Sequence, residues 1–168
     1  MLDTTPASVN SAMQRARQAV DERVPQRSQQ AELAGMGEDG VRALVEQFVS
    51  AWERADLPAL VELLSRDARF TMPPLPAWFD GRDNVALFFR ERVFATPWRL
   101  VPLQANGQLG FACYIQQSAG ERFVLGAVNV LNLRDGRITQ INGFVDPAVV
   151  AGAHIPLELD EGDLDLDR

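Results

Sequence analysis

With one histidine, one cysteine and no lysine in the whole chain, the side chains leave little chemistry open. His154 and Cys113 have no base or nucleophile at a spacing that would pair them, and no cluster has metal-ligand spacing. His154 precedes an acidic tail and reads as an ordinary surface or packing histidine. Gly35, Gly37 and Gly40 lead into a helix with no strand before them, so they do not form a phosphate-binding loop. The absence of lysine excludes Schiff-base chemistry, and neither a metal nor a cofactor is expected. Any catalytic base must therefore be a carboxylate. Asp80, Asp83 and Asp146 are the candidates, because they border an aromatic loop or end the last strand. Tyr114, the sole tyrosine, can donate a hydrogen bond, and Asn129, Asn132 and Asn142 are polar residues inside apolar strands. A carboxylate desolvated among Trp78, Trp98 and Phe144 would have its pKa raised toward neutrality. The competing explanation is structural. Asp80 and Asp83 suit a turn and a helix cap, Asp146 precedes Pro147 in a turn, and strand asparagines often satisfy backbone groups. The expectation is a mouth that binds without catalysing: Trp78, Phe79, Trp98 and Phe144 supply apolar area, while Asp80, Arg82, Tyr114, Asn129 and Asn142 supply polar ends.

These residues must be positioned by the elements around them. Val41, Leu44, Val45, Phe48, Val49 and Trp52 repeat at i, i+3, i+4, i+7, the spacing of an amphipathic helix with one apolar stripe. Asp56 caps a second helix through Leu64, with Pro58 tolerated in its first turn. Ala68, Phe70 and Met72 then alternate with Arg69 and Thr71, the period of a half-buried strand that Pro73-Pro74 stops. Trp78 and Phe79 are expected to be buried, and Asp83 to cap a third helix carrying Val85, Phe88, Phe89 and Val93. Pro97 to Val145 reads as four strands joined by turns at Asn106-Gly107, Ser118 to Gly120 and Asp135-Gly136. With Ala68 to Met72 that makes five strands, four in an antiparallel meander. The fold class is α+β, with helices packed in one curved sheet whose inner face encloses a pocket. The outer face, also apolar, should pair with another surface, for which a homodimer is one solution.

At 168 residues and 46% hydrophobic content, one core of ordinary size is available. The organisation expected is an N-terminal helix over 1–25, a polar, glycine-containing linker over 26–40 with one helical turn at Gln29 to Leu33, the α+β domain over 41–157, and an acidic disordered tail over 158–168. Six acids against Arg168 put −5 of the formal −7 in that tail, leaving −2 on the rest. So small an excess argues neither for nor against a nucleic-acid surface. The single cysteine excludes an internal disulfide and suits a reducing compartment. No apolar run approaches the roughly 20 residues of a membrane span, and no signal pattern opens the chain, so a cytoplasmic location and no membrane partner are expected. All basic residues are arginine, which reads as the coding bias of a GC-rich bacterial genome.

The stretches VRALVEQFVSAWERADLPALVELLSRDARFTMPP, GRDN and LRDGRITQINGFVDP resemble the SnoaL-like branch of the nuclear transport factor 2 superfamily, over about residues 38 to 150. That resemblance implies a cone of helices in a curved antiparallel sheet, shared by cyclases, isomerases, epoxide hydrolases and binding domains. SVNSAMQRARQAVDERVPQRSQQ, TMPPLPAWFDGRDN and WRLVPLQANGQLGFACY further resemble the C-terminal end of bacterial extracytoplasmic-function sigma factors with a SnoaL-like extension. The resemblance implies that residues 4–17 match the end of the recognition helix of the fourth sigma region. Ser8, Asn10, Ser11, Gln14 and Arg15 would lie on its DNA-contacting face. The regions that bind polymerase and the −10 element have no counterpart in this sequence, so promoter DNA is expected as a partner only in a full-length chain. The DGGGK sequence of one group of such sigma factors is absent, and the catalytic aspartates and histidines of SnoaL-type cyclases have no matching residues. The resemblance thus implies a regulatory domain that contacts sigma regions or RNA polymerase and holds a small apolar ligand. The alternative is a small enzyme using Asp80, Asp146 and Tyr114 on a hydrophobic substrate.

Overall fold

A computed structural model describes residues 9–15, 27–145 and 155–159. Residues 9–15 are helical (α1) and exposed along their whole length. The next helix, α2, runs over Gln29–Glu53. Ser28 caps it by accepting a hydrogen bond from the Ala31 amide, and it breaks at Gly37, where φ is +70°. Glycine takes that left-handed conformation without the Cβ penalty. Where the sequence predicts a linker over 26–40 with one helical turn at Gln29 to Leu33, the helix starts at Gln29 and continues through the whole stretch into Glu53. The reason is tertiary: the Gln29 side chain accepts from the Leu133 amide at 2.6 Å and donates to its carbonyl at 3.0 Å, and Leu33 and Met36 pack on the core. Local composition does not reveal a helix held by an amide pairing with a strand 104 residues away.

The Asp56 side chain accepts from the Ala59 amide and starts α3, Leu57–Leu63, with Pro58 in its first turn. Strand β1, Leu64–Thr71, follows without a loop. A short edge strand, β2 (Trp78–Asp80), folds back antiparallel on β1, and α4 occupies Arg82–Glu91. Gly81, at φ +85°, caps α4. Asp83 sits in its first turn, where a carboxylate favours the helix dipole, and makes no cap bond. A 3₁₀ turn over Val93–Ala95 leads to the meander β3 (Trp98–Ala105), β4 (Gln108–Ile115), β5 (Phe123–Arg134) and β6 (Arg137–Phe144).

Two of the turns are what the sequence predicts. Asn106 and Gly107 have φ of 52° and 73°, and Asp135 and Gly136 have 53° and 73°, the paired positive values of a type I′ hairpin. The sheet order is β2-β1-β6-β5-β4-β3. β1 joins the meander parallel to β6, and the other pairs are antiparallel. Two short strands escape the sequence reading. One is β2, and the other is β7, Glu158–Leu159, which pairs with Phe123 and Val124 of β5. Glu158 and Leu159 are thus part of the fold and not of a disordered tail; residues 160–168 lie outside the described residues.

The concave face closes on the helices. Phe48, Leu60, Val85, Phe89, Phe111, Leu131, Ile138 and Ile141 are fully buried there. Phe48 meets Phe111 at 4.8 Å between ring centroids, and Trp52 meets Phe89 edge-on at 4.7 Å, geometries that add to area burial. At the β3 edge, Glu53 of α2 accepts from the Leu100 amide at 2.8 Å, covering a strand edge that would otherwise invite pairing.

The convex face divides in two. Over β1 and β6 it is polar, with Thr71, Asn132, Gln140 and Asn142 hydrogen-bonded to one another. Over β4 and β5 it is apolar, and residues 155–159 of the chain itself lie against it. Leu159 is buried with Ala112 and Tyr114, and Ile155 packs beside them. The apolar patch expected to need another surface is therefore partly covered in cis.

Candidate functional site

Between the helices and the concave face lies a cavity of about 200 Å³. Its walls come from every layer: Trp52 of α2, Phe70 of β1, Phe88 of α4, Trp98 of β3, Cys113 of β4, Ala127 and Asn129 of β5, and Gly143 of β6. Met72, Val93 and Val145 complete it, and Arg92, exposed, stands at its rim. Strand pairing explains the convergence. Cys113 lies opposite Ala127 and Phe111 opposite Asn129, and alternate residues share a face. Gly143 keeps the space open, since a Cβ there would come within 3.0 Å of Asn129 Oδ1 and 3.2 Å of the Phe70 ring.

Asn129 is the buried polar residue of this cavity, with 2% of its surface exposed. Its Nδ2 donates to Cys113 Sγ at 3.1 Å, and the Cys113 thiol lies 3.6 Å from the Phe111 carbonyl as a donor. The amide oxygen, Oδ1, has no partner among the protein atoms. Burial pushes the Cys113 thiol far above its ordinary pKa, with the hydrogen bond from Asn129 opposing only part of the shift. The sulfur therefore stays protonated, and a nucleophilic thiolate is not available at neutral pH. No Asp or Glu lines the cavity among the described residues. Trp52 Nε1, another buried polar atom without a partner, belongs to a second wall residue.

The structure scatters the residues that the sequence reading gathered into one mouth. Trp98 and Asn129 line the cavity. Trp78, Phe79 and Asp80 line a neighbouring groove of about 410 Å³ that shares Phe88 and Arg92 with it. Trp78, expected to be buried, is 66% exposed, because it sits on a three-residue edge strand with no layer over it. Phe79 stacks on Phe88 at 4.2 Å. Asp80 is exposed and engages Arg69. Arg82 belongs to a larger, open and mostly polar groove of about 870 Å³ on the helix side, with Glu46, Asp56, Glu62 and Arg137.

Tyr114, Asn142 and Phe144 point away from the cavity. Tyr114 alternates with Cys113 along β4, packs on the convex face, and donates its hydroxyl to the Pro156 carbonyl at 2.9 Å. Asn142 belongs to the convex amide network. Phe144 pairs with Val128, which pairs with convex-face Ala112. Asp146 lies outside the described residues. Of the helical set, Asn10, Ser11, Gln14 and Arg15 are exposed on α1, and Ser8 lies outside the described residues.

The reading from sequence missed Trp52, Phe70, Phe88, Cys113 and Gly143 as cavity residues. The strand alternation of Phe70 with Met72 carried a signal for one wall. Nothing local separates a wall residue from a core residue. Among the described residues, no group of three His, Cys, Asp or Glu could hold a metal, and no helix is long and apolar enough to cross a membrane.

Comparison with known proteins follows the same outline. A family model described as a SnoaL-like domain matches residues 45–141. The ECF RNA polymerase sigma factor SigG of Mycobacterium tuberculosis is 27% identical over 158 residues, covering 92% of this chain. The chain spans 42% of that relative's length. Among solved structures, an NTF-2 like protein of unknown function from Burkholderia xenovorans superposes with a TM-score of 0.56 at 16% identity, over 79% of this chain and 97% of the other. An LEH-like epoxide hydrolase of M. tuberculosis gives 0.52 at 18% identity, over 66% and 85%. At these identities the structural likeness concerns the fold.

Proposed function

Because this chain belongs to the SnoaL-like domain family, we propose that it serves as the regulatory, non-catalytic domain of an RNA polymerase sigma factor. In this reading it contacts sigma regions or the polymerase, and its cavity holds a small apolar molecule. The observation that carries the proposal is the extent of the match to the sigma factor. At 92% of the chain, it reaches well beyond residues 45–141 into the N-terminal stretch that a SnoaL-like domain alone would not need. The exposed polar face of α1, with Asn10, Gln14 and Arg15, suits the end of a recognition helix. Promoter recognition and polymerase binding belong to that longer relative and enter here as part of the proposal. The cavity fits a binding role: its wall is apolar, its thiol is held protonated, and its polar group is an amide.

The enzyme alternative draws on Asp80, Asp146 and Tyr114. Tyr114 is committed to Pro156 on the convex face, and Asp80 is exposed and engaged by Arg69.

The test mixes the full chain with purified sigma region 2, sigma region 4 and core polymerase, and measures association by calorimetry. Association with at least one of them is expected. Trp78→Ala should weaken it, because Trp78 presents a large apolar surface to solvent. No conversion of epoxides, polyketide-like ketones or steroids should be detected, and the isolated chain should not retard a −35 duplex specifically, since one helix lacks the scaffold that sets its angle in the groove. Failure to associate, together with turnover that disappears in Asp80→Asn or Asp146→Asn, would establish the enzyme instead.

A further inference from the structure

The cavity carries its charge at one end only, and the step taken from this rests on the ligand-holding role just proposed. Among the described residues, the inner wall offers a ligand no polar side-chain group. Asn129 Oδ1 and Trp52 Nε1 are closed off by the packing around them. Trp98 Nε1 already donates to the Val93 carbonyl at 2.7 Å, and Cys113 is wholly buried. A ligand hydroxyl set deep in this space would lose its water and gain no partner. The rim is different. Arg92, the one charged residue lining the cavity among the described residues, also lines the groove beside it. It lies just past the end of α4 and is exposed. No carboxylate pairs with it among the described residues: its neighbour Glu91 engages Arg90 at 3.7 Å, and Asp80 of the groove engages Arg69.

We propose that the cavity takes a compact apolar ring bearing a carboxylate, with the ring inside and the carboxylate at the rim beside Arg92. Arginine suits this place because its planar fork meets both oxygens of a carboxylate and its charge persists at any physiological pH. The exposed rim leaves the carboxylate partly hydrated, which spares the pair the desolvation cost of a buried one. The size limit follows from the volume. A dry cavity of about 150 Å³ accommodates benzene, so about 200 Å³ admits one ring with a small substituent, short of a steroid. The two ends of the cavity therefore ask opposite things of a ligand. A neutral head forfeits the attraction of the one charge at the mouth, and a polar group on the far side of the ring is stranded against an apolar wall.

Cyclohexanecarboxylate, its neutral carboxamide, and the analogue with a hydroxyl on the ring carbon opposite the carboxylate test this directly. Their affinities for the full chain are measured by NMR titration at low salt, with the shifts of the Val93, Ala127 and Val145 methyl groups locating the site. The carboxylate is expected to bind about 5-fold tighter than the carboxamide, the upper end of what an exposed ion pair supplies. It should bind about 10-fold tighter than the hydroxylated analogue. Salt near about 1 M should remove the first ratio and leave the second. In Arg92→Gln the carboxylate and carboxamide should bind alike while the penalty on the hydroxyl persists. Arg66→Gln makes the same charge change at an exposed residue away from the cavity and should alter neither ratio. Equal affinities of carboxylate and carboxamide in the unsubstituted chain, or a preference that survives Arg92→Gln, would overturn the proposal while the bound carboxamide leaves the ligand-holding role standing. Absence of binding by every probe at millimolar concentration would overturn both. The regulatory reading fails separately, on absent sigma or polymerase association or on turnover of a substrate.

Discussion

Asn129 should cost the fold stability, and replacing it should return that stability. The residue is 2% exposed and its Oδ1 is buried without a protein partner. Leaving such a group unsatisfied costs about 1–3 kcal/mol, whereas an apolar replacement of the same shape removes the penalty. Asn129→Leu keeps the branching of the side chain, and its extra bulk has the adjoining 200 Å³ in which to expand. The loss is the Nδ2 bond to a thiol sulfur, a weak acceptor. The expected net effect is a gain of about 1–2 kcal/mol, or a melting temperature higher by roughly 2–8 °C at 2–4 °C per kcal/mol for a chain of this length. Urea denaturation followed by tryptophan fluorescence measures it, with an unchanged m-value showing that the unfolded state is not the cause. A loss of more than about 1 kcal/mol would refute the reasoning, because it would mean that Oδ1 is already satisfied in the folded chain.

Phe48→Ala, at the centre of the core against Phe111, should cost about 3–5 kcal/mol, read as a large fall in the urea midpoint. Tyr114→Phe removes the hydroxyl bond that holds Pro156 to the convex face and should cost about 1 kcal/mol; hydrogen exchange should show faster opening of Phe123 and Val124. Cys113 should resist thiol reagents at neutral pH in the folded chain and react at the rate of unfolding, since burial raises its pKa and closes access. Asp67 is held below its ordinary pKa by the Arg134 side chain hydrogen bonds. A depressed folded pKa gives stability that is present above the unfolded value and is lost as pH falls through the folded one. Both groups are more than half exposed, so the amount is well under about 1 kcal/mol. Arg134→Gln should slightly flatten the acid limb of the stability curve, and a steeper limb would contradict the assignment.

The sequence by itself determined the elements and their order wherever the cause is local. The apolar stripe from Val41 to Trp52, the Asp56 cap, the alternation through Phe70 and the Asn106-Gly107 and Asp135-Gly136 turns each act within a few residues, so periodicity and turn chemistry suffice to read them. The α+β class and the meander follow from those elements in that order. Only the tertiary structure decided what faces what. A single register shift opposite Cys113 and Tyr114 leaves Gly126 unpaired in β5, so Ala127 stays in the cavity beside Cys113 while Leu125 joins Tyr114 on the convex face, and the period-two rule magnifies any such slip into a change of side. Trp78 is exposed because its strand is an edge, and Leu159 is buried because the open edge of β5 at Phe123 accepts it. Gln29 is helical because a strand bulge needs its amide. The setting of the Asn129 amide exists only as a chain of contacts through Phe111, Cys113 and Asn129. No property of those residue types states it, since an amide's free end is set by its neighbours in space and not by its neighbours in sequence.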